Sequence, residues 1–437
     1  MTQHINKENH IYSLAIIGGG AAGLYAGALK NAGKAGGILL ERMPETGKKL
    51  MITGSGQCNL THGGEIRDFP THYHEAGRKI RSLLYAHSNE KVVRFFSDLG
   101  IPTIEREDGK IFPASLSARE VRDALLARCA ANGYRVLCNM HCTGLVSLAA
   151  TDSHGESFGE SFSGARWKIL SGDRSFFAKN VLVTVGGSSV PLTGSDGSFL
   201  QVLAGLGMPL RQPEPALTAV YVQDYPFPDL SGISFEEARV TVSGRDGRKK
   251  CDSAGPLLFT HSALSGPCIL NGSRYVQTGD KIALSYLPDV SADRLTGCLS
   301  KKAADSGAKA RSAAAEALGE LGYQFPQRFL ERQLERSGVS PQKNAAEIGK
   351  KSWRKLALLL AADTFSVSGK GGFADAMVTR GGVSLSAVDG KTMESLQYPG
   401  LYFAGEVLDV DADTGGYNLQ FAFSSAARAA EEIFGKG

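Results

Sequence analysis

Apolar residues near the start of the chain form a short run that ends in glycine. Leu14 to Ile17 is this run, Gly18-Gly19-Gly20 follows it, and a stretch rich in alanine and glycine continues from Ala21 to Ala32. A short apolar run predicts a buried strand, and the longer stretch behind the glycines predicts a helix. The chain therefore opens with a strand, a glycine turn and a helix.

Similar patterns continue through the first 190 residues. Apolar runs predict strands at Ile38 to Leu40 and at Tyr134 to Leu137, and the helical spacing of Ala118 to Asn132 precedes the latter. Val181 to Val185 is continuously apolar and β-branched, which indicates a parallel strand that is buried on both faces. Glycine, serine and acidic residues from Ala149 to Gly164 predict an exposed hairpin tip. This part has the alternation of an α/β protein.

The pattern changes near Leu210. Short strands are predicted at Leu217 to Val222, Ala238 to Val242 and Lys281 to Leu287, with glycine, aspartate and proline between them, which is typical of an antiparallel barrel or sandwich. From Ser291 to Ala362 the chain is rich in alanine, leucine and charged residues at helical spacing, and its charges indicate a solvated face.

The glycine turn is a dinucleotide fingerprint, Gly18-x-Gly20-x-x-Gly23. In such a turn the first glycine permits the tight bend, the second lets a pyrophosphate approach the backbone, and the third lets the helix pack on the strand. Glu41 follows the second strand, 18 residues beyond Gly23, where its carboxylate is able to accept hydrogen bonds from ribose hydroxyls. The fingerprint predicts a bound nucleotide but does not separate FAD from NAD.

A second nucleotide segment near the C-terminus favours FAD. Gly400 to Glu406 is an apolar strand that ends in a glycine and an acid, and Gly415-Gly416-Tyr417-Asn418 opens a helical stretch to Phe434. Backbone amides at that helix start would face the negative charge of a reduced flavin. Between the two segments, the glycine loop Gly54 to Asn59 is suited to a flat ring.

Charge and cysteine content restrict the class and the compartment. Lysine plus arginine number 48 against 44 acidic residues, a net charge of +4, and no basic run is interleaved with aromatics. We therefore expect no nucleic-acid partner and no membrane association. Seven cysteines without paired spacing indicate free thiols and a cytoplasmic protein. The uncharged run from Ser13 to Leu29 is similar to a signal-peptide core, but Gly18 to Gly20 in its middle and Glu8 before it argue against that reading.

Cysteines and histidines elsewhere in the chain bear on redox and metal chemistry. Cys138 and Cys142 do not form C-x-x-C, and Cys58 stands alone in its loop, so a dithiol mechanism is not expected. His72 and His74 lie in a polar segment without further ligands, which is typical of surface residues, and no metal site is predicted.

Two residues are candidates for catalysis. His261 lies before Ser265-Gly266-Pro267, whose serine and proline indicate a helix start. It is suited to orient a substrate or relay a proton, or else to bond the backbone at a domain junction. Arg380 precedes Gly381-Gly382 and would bind an anionic substrate or pair with a surface acid.

The motifs together resemble one bacterial flavoprotein family, the BaiN-like family, which includes aminoacetone oxidase and a dehydro-bile acid reductase. The matching motifs run along the whole chain and are Gly18 to Gly23, GKKLMITGSGQCN (Gly47 to Asn59), GKIFPASLSA (Gly109 to Ala118), FTHSALSGP (Phe259 to Pro267), VTRGGV (Val378 to Val383), KTMES (Lys391 to Ser395) and GLYFAGEVLDVDADTGGYN (Gly400 to Asn418).

The resemblance implies a discontinuous α/β fold. Residues 1–190 and 373–437 would form a Rossmann-like FAD domain of the glutathione-reductase type. Residues 191–290 and 363–372 would form an inserted β-barrel-like domain, and residues 291–362 a small helical insert.

The resemblance also implies site residues. Glu41 would hold the adenosine ribose, the backbone of Cys142 would meet adenine, and the loop from Lys48 to Asn59 would run beside the flavin. The residues expected to contact FAD are Gly18, Gly20, Ala22, Gly23, Glu41, Arg42, Lys49, Gly56, Cys58, Asn59, Cys142, Gly186, Gly405, Glu406, Gly416, Asn418 and Leu419.

The expected function is that of an FAD-dependent oxidoreductase that moves a hydride to or from flavin N5 on a small organic substrate. No second dinucleotide fingerprint follows a strand after Val181, so NAD(P)H would serve as a transient donor at the flavin face, unless dioxygen accepts the electrons. The alternative is a flavin-bearing redox sensor or partner-binding protein without turnover. No oligomeric state is predicted.

Overall fold

The computed structural model describes residues 10–29, 36–148, 164–305 and 307–435. Of the predicted hairpin tip, Ala149 to Gly164, all residues but the last lie outside the described residues. The strands are β1 Ile11–Ile17, β2 Ile38–Leu40, β3 Thr61–His62, β4 Thr103–Glu105, β5 Lys110–Pro113, β6 Arg135–Leu137, β7 Gly144–Ser147, β8 Trp167–Ser171, β9 Arg174–Val183, β10 Leu210–Ala216, β11 Val220–Val222, β12 Ser234–Ser243, β13 Lys249–Phe259, β14 Leu264–Ser265, β15 Lys281–Ser285, β16 Asp363–Lys370, β17 Val378–Val383 and β18 Leu401–Phe403. The helices are α1 Ala21–Ala28, α2 Lys48–Ile52, α3 Gly77–Ala86, α4 Asn89–Asp98, α5 Ala118–Ala131, α6 Ser198–Gly205, α7 Pro267–Gly272, α8 Ala292–Asp305, α9 Ala310–Gly319, α10 Gln327–Ser337, α11 Lys350–Ala361 and α12 Tyr417–Phe434.

Five parallel strands from both ends of the chain form the central sheet. Their order is β6, β2, β1, β9 and β18, and the antiparallel strands β8 and β7 extend the sheet from the first half of β9. The registers align the last residues of the parallel strands, because Ile17 pairs with both Leu40 and Val183, and Val183 pairs with Phe403. The residues that follow these strands therefore meet along one edge of the sheet.

Helix α1 is buried almost completely, as expected for a helix that is apolar on every side. Small residues allow its close packing. A methyl group at Gly27 would lie 2.8 Å from the Sγ atom of Cys129 in α5. On another side, the Tyr25 ring stacks on Phe423 of α12 at 4.5 Å between centroids.

His87 lies buried behind the same helix. Its Nε2 is 2.8 Å from the Tyr25 hydroxyl, and its backbone carbonyl accepts hydrogen bonds from Gln420 and Ser424 of α12. Burial, and secondarily the charge of Lys91, lower the pKa of His87 from 6.5 to about 4.

This buried imidazole predicts a loss of stability in acid. In the unfolded chain His87 becomes protonated below pH ~6.5. In the folded chain it stays neutral until the pH falls to about 4. Over that interval we expect the free energy of unfolding to fall by about 3 kcal/mol because of this group. Urea titrations at pH 7, 5.5 and 4, followed through Trp167 in a Trp353→Phe background, measure it. His87→Gln removes the titration and is expected to flatten the pH dependence, and parallel profiles for the two proteins would contradict the assignment.

The described residues fall into two compact units, Met1–Pro215 with Ala376–Gly437, and Ala216–Asp375. The first unit holds the parallel sheet with its helices, the small antiparallel sheet β3-β5-β4, and the pair β10-β17. The family resemblance implies that residues 191–215 are part of the barrel-like domain, but they lie in the first compact unit, where α6 contributes Phe199 and Leu203 to the core. The division into three domains stays a prediction.

The second unit is a closed antiparallel barrel with a group of helices. The barrel order is β11, β14, β13, β12, β15 and β16, and helices α8 to α11 lie between β15 and β16 along the chain. The aromatic core of the unit includes Phe227, Phe259 and Phe329, with Phe227 and Phe259 stacked at 4.3 Å. The predicted barrel is confirmed. The helices also end where the sequence indicates, around Gly322 to Pro326 and Gly338 to Pro341.

Candidate active site

A cleft runs along the edge where the parallel strands of the first unit end. Its walls come from the turn after β1, the residues after β2, helix α2, the segment after β9, and the two segments around β18 and the start of α12. Ligands of open α/β sheets bind at this carboxyl edge. Both ends of the chain therefore build one cleft.

The three fingerprint glycines have different surroundings. Gly18 has φ +105°, and a Cβ there would lie 2.5 Å from the carbonyl oxygen of Thr184. A Cβ on Gly23 would lie 2.0 Å from the carbonyl oxygen of Gly18, so the helix packs directly on the turn. A Cβ on Gly20 meets nothing within 4 Å, because this residue faces the open cleft. These are the turn, packing and approach positions of a dinucleotide fingerprint.

Glu41 forms the far side of the turn and is only 7% exposed. Its Oε2 accepts a hydrogen bond from Gly19 N at 2.7 Å, and its Oε1 accepts one from Met43 N at 2.8 Å. Burial raises the pKa of Glu41, and the bonds from Met43 and Gly19 oppose that rise. Each carboxylate oxygen keeps a further acceptor site. The group is therefore fixed in place and is able to accept ribose hydroxyls.

An ion pair supported by a hydrogen bond lies beside Glu41 at the cleft. Arg42 contacts Asp196 at 2.6 Å and Ser198 at 3.2 Å, and Ser198 in turn donates to Asp196. The segment Thr193 to Gly197 is thus held to the end of β2. Burial acts to raise the pKa of Asp196, but the hydrogen bonds from Ser198 and the charge of Arg42 together outweigh it and lower the pKa, so the carboxylate stays charged.

An ion pair lies at the other end of the cleft. Lys49 Nζ donates to both oxygens of Glu406, at 3.0 and 2.7 Å, and Glu406 also accepts a hydrogen bond from Thr379 N at 2.8 Å. Lys49 and Glu406 line the cleft. This contact joins α2, β17 and the end of β18.

The start of α12 is supported by stacked rings that the sequence did not reveal. Tyr417 is flanked by His72 at 4.0 Å and His62 at 5.1 Å between ring centroids. His72 Nδ1 lies 3.0 Å from Asp413, and Asn418 donates to the carbonyl of Asp413. The aromatic sandwich fixes the loop in front of the helix.

His74 also approaches Asp413. Its Nε2 lies 3.6 Å from Oδ1 of that carboxylate, and its side chain is 11% exposed. The prediction that His72 and His74 are plain surface residues is therefore wrong for His74, since the chain end folds back over this polar segment.

Most of the residues predicted to contact FAD meet in the cleft. Those that line it are Gly18, Gly20, Ala22, Glu41, Arg42, Lys49, Cys142, Gly186, Gly405, Glu406, Asn418 and Leu419. Gly23 lies behind the turn. Gly416 packs against Thr61, where a Cβ would lie 2.4 Å from the carbonyl oxygen.

The glycine loop after α2 contributes less to the cleft than predicted. Gly56, Cys58 and Asn59 do not belong to its lining, whereas Thr53 does. Cys58 is fully buried with φ +62°, and burial raises its pKa to about 12. A thiol in this state is inert, since the reactive form is the thiolate.

The two catalytic candidates belong to different units. Arg380 lies in β17 of the first unit, with 17% of its side chain exposed and Nη1 3.9 Å from Glu214. His261 lies in the second unit, exposed in the bend between β13 and β14. Their catalytic roles stay predictions.

Sequence reasoning missed three residues of the cleft region. Thr184 Oγ1 donates to Gly18 O at 2.8 Å and so holds the fingerprint turn. Met377, with 53% of its surface exposed, lines the cleft. Thr379 Oγ1 accepts hydrogen bonds from Ser188 N and Ser189 N. The motif VTRGGV contains Thr379, but the pattern gives no sign of which partners it contacts.

The residues present fit FAD. Open space in front of Gly20 and the start of α1 suit a pyrophosphate, because helix N-termini present free amides and a positive dipole end. Glu41 suits the ribose, and Lys49 offers a positive charge at the opposite end. A Rossmann-type domain with this cleft defines the class: the chain is an FAD-dependent oxidoreductase.

The chain belongs to the HI0933-like family, since the family description for the HI0933-like protein Rossmann domain matches residues 12–432. It is 28% identical over 431 residues to the 3-dehydro-bile acid delta(4,6)-reductase of Clostridium scindens, covering 96% of this chain and 99% of that protein. It is 29% identical over 422 residues to the ribosomal RNA dihydrouridine synthase of Haemophilus influenzae, covering 96% and 97%. The predicted family resemblance is confirmed.

A solved structure supports the fold. The 3-ketosteroid-delta4-(5alpha)-dehydrogenase of Rhodococcus jostii RHA1 matches with a TM-score of 0.51 and 14% identity over 99% of both chains. The predicted fold class is confirmed.

Other site types find no support among the described residues. No helix in that part of the chain is long and apolar enough to cross a membrane, and no group of three potential ligands there is suited to a metal. The seven cysteines, all of them in described segments, are free thiols.

Proposed function

We propose that this oxidoreductase reduces a carbon–carbon double bond conjugated to a carbonyl group in a small organic molecule. The observation that carries the proposal is the cleft with its two charged ends, Glu41 for the nucleotide and Lys49 for the ring. Bound FAD supplies a two-electron carrier whose N5 position gives or takes a hydride.

The names of the two curated relatives described above concern the same bond type. A 3-dehydro-bile acid with delta(4,6) unsaturation has double bonds next to a ketone, and a dihydrouridine synthase saturates the uracil bond next to a carbonyl. In such a reduction a hydride adds to the carbon β to the carbonyl, and a proton adds to the α carbon. NAD(P)H as transient donor would supply the hydride and leave as NAD(P)⁺.

Different residues of this chain would bind the cofactor, exclude water and contact the substrate. Glu41 and the start of α1 would anchor the nucleotide half. Apolar side chains of the cleft such as Phe421 and Val378 would exclude water from the reacting carbons. Arg380 stays a candidate for binding an anionic substrate group. His261 is a separate candidate, in the other unit, for relaying a proton.

Ribosomal RNA is the second candidate substrate, because the relatives from Haemophilus influenzae and Escherichia coli are named for it. The net charge of +4 and the lack of a basic run favour the small molecule. A sensor without turnover stays the alternative to either enzyme. We also keep the cytoplasm as the proposed compartment, in line with seven free thiols.

Anaerobic stopped-flow measurements on the FAD-bound protein test the proposal. We expect NADH or NADPH to bleach the flavin absorbance, and a cyclic enone or a 3-keto-Δ4 steroid to restore it with one saturated product per flavin. Reoxidation by uridine-containing ribosomal RNA but by no enone would favour the RNA substrate. Reoxidation by air alone would favour an oxidase, and a flavin that no donor reduces would favour the sensor.

A further inference from the structure

We propose that Lys49 and Glu406 form a charge pair that sets the redox potential of the flavin. Lys49 is the residue that faces the cofactor, and Glu406 is a positioning residue that holds the ammonium in place. This inference rests on the same flavin-binding cleft as the proposed function and adds the group that balances the charge of the reduced ring.

The pair lies at the flavin end of the cleft by the order of the strands. Glu41 follows β2 and Glu406 follows β18, with β1 and β9 between them. Three strand spacings separate these two positions, about 14 Å. A dinucleotide held with its ribose at Glu41 and its pyrophosphate at Gly20 would therefore extend its ring toward Glu406.

The contacts leave Lys49 one free donor. An ammonium group has three N–H donors, and Glu406 takes two of them at 3.0 and 2.7 Å. The side chains are 22% and 20% exposed, and both belong to the cleft wall. The third donor is thus available to the group that the cleft holds.

The surroundings prevent Glu406 from turning away. Its Oε1 accepts Thr379 N at 2.8 Å, and the Thr379 hydroxyl is itself held by Ser188 N at 2.7 Å. A Cβ on Gly187 would lie 3.1 Å from Oε1 of Glu406 and 2.4 Å from the Thr379 hydroxyl oxygen, so no space remains on that side. The carboxylate is a fixed negative charge.

Removal of either partner therefore leaves the other charge uncompensated. Reduction adds negative charge to a flavin, so a lone carboxylate at this place opposes reduction and a lone ammonium favours it. Lys49→Met and Glu406→Gln must then shift the potential in opposite directions. If the two substitutions acted only by damaging the structure, they would not shift the flavin potential in opposite directions.

Sulfite titration of the FAD-bound protein tests the pair without any substrate. Sulfite adds to N5 of an oxidised flavin and leaves the ring negative, which bleaches its absorbance. We expect Lys49→Met to weaken sulfite binding at least about tenfold and to lower the midpoint potential. We expect Glu406→Gln to tighten binding at least about threefold and to raise the potential, with the double variant between the two.

The matched control is Lys79→Met, which removes the same charge from an exposed position on α3 and is expected to leave both readouts unchanged. Shifts of the same sign in both single variants, or shifts below twofold, would overturn the inference. If Lys49→Met does not retain FAD, the test rests on Glu406→Gln alone. Tighter sulfite binding by this variant supports the proposed charge pair, and unchanged or weaker binding overturns it. Absence of enone turnover with opposite sulfite shifts would reject only the proposed function.

Discussion

Gly20→Val is expected to give a folded, colourless protein. The Gly20 Cα faces the open cleft, and a Cβ there meets no atom of the protein within 4 Å. The branched side chain would occupy the space of the pyrophosphate, so we expect FAD affinity to fall at least about 100-fold. The measurement is the ratio of FAD to protein after gel filtration, together with the melting temperature of the FAD-free protein.

Gly23→Ala is the matched comparison for this substitution. A Cβ at Gly23 would lie 2.0 Å from the Gly18 carbonyl oxygen, so α1 would have to move away from the turn. We expect a lower melting temperature in addition to the loss of FAD, whereas Gly20→Val melts close to the FAD-free natural protein. Full FAD occupancy of Gly20→Val would show that the pyrophosphate lies elsewhere.

The parallel sheet could be predicted because its strands are marked by local patterns. Leu14 to Ile17 lies in β1, and the run from Val181 to Val185 begins with the last three residues of β9; each run is followed by glycine. The start of the barrel unit could not be located in this way. The change of pattern begins near Leu210, but residues 210–216 form a strand that pairs with β17, a long-range contact without a local sequence signal.

The residues of the candidate site also differ in whether local sequence or long-range contacts determine their place. Gly18, Gly20 and Glu41 have roles that depend on a turn and its nearest strand, so spacing alone predicts where they lie. The contact of Lys49 with Glu406 joins residues that are far apart in the chain, and only the folded sheet brings them together. Cys58 shows the reverse case, since the sequence pattern places it among the ring contacts, whereas its side chain is fully buried and does not line the cleft.

The second unit depends on a buried ion pair. Asp363 in β16 is 1% exposed in its side chain and accepts two hydrogen bonds from Arg336 of α10, at 2.5 and 2.8 Å. Gln333 and the Tyr286 hydroxyl also donate to it. The guanidinium lies 5.2 Å from the ring centre of Phe227. The helical insert and the barrel thus share one polar network inside an apolar core.

Asp363→Ala is expected to lower the free energy of unfolding of this unit by about 3 to 5 kcal/mol, because it leaves the Arg336 charge without its buried partner. The chain has two tryptophans, and Trp353 lies in α11 of the second unit, so urea unfolding followed by its fluorescence in a Trp167→Phe background reports on this unit.

The double variant Asp363→Leu with Arg336→Met separates the loss of a charge partner from the loss of packing. It removes both charges and fills the space with apolar groups, so we expect it to regain most of the lost stability. Glu320→Ala breaks an exposed contact with Lys302 in the same unit and is expected to leave the unfolding midpoint nearly unchanged. Equal midpoints for Asp363→Ala and Glu320→Ala would contradict a structural role for the buried pair. A double variant as unstable as Asp363→Ala would instead mean that the network fixes the barrel through geometry, which apolar side chains cannot replace.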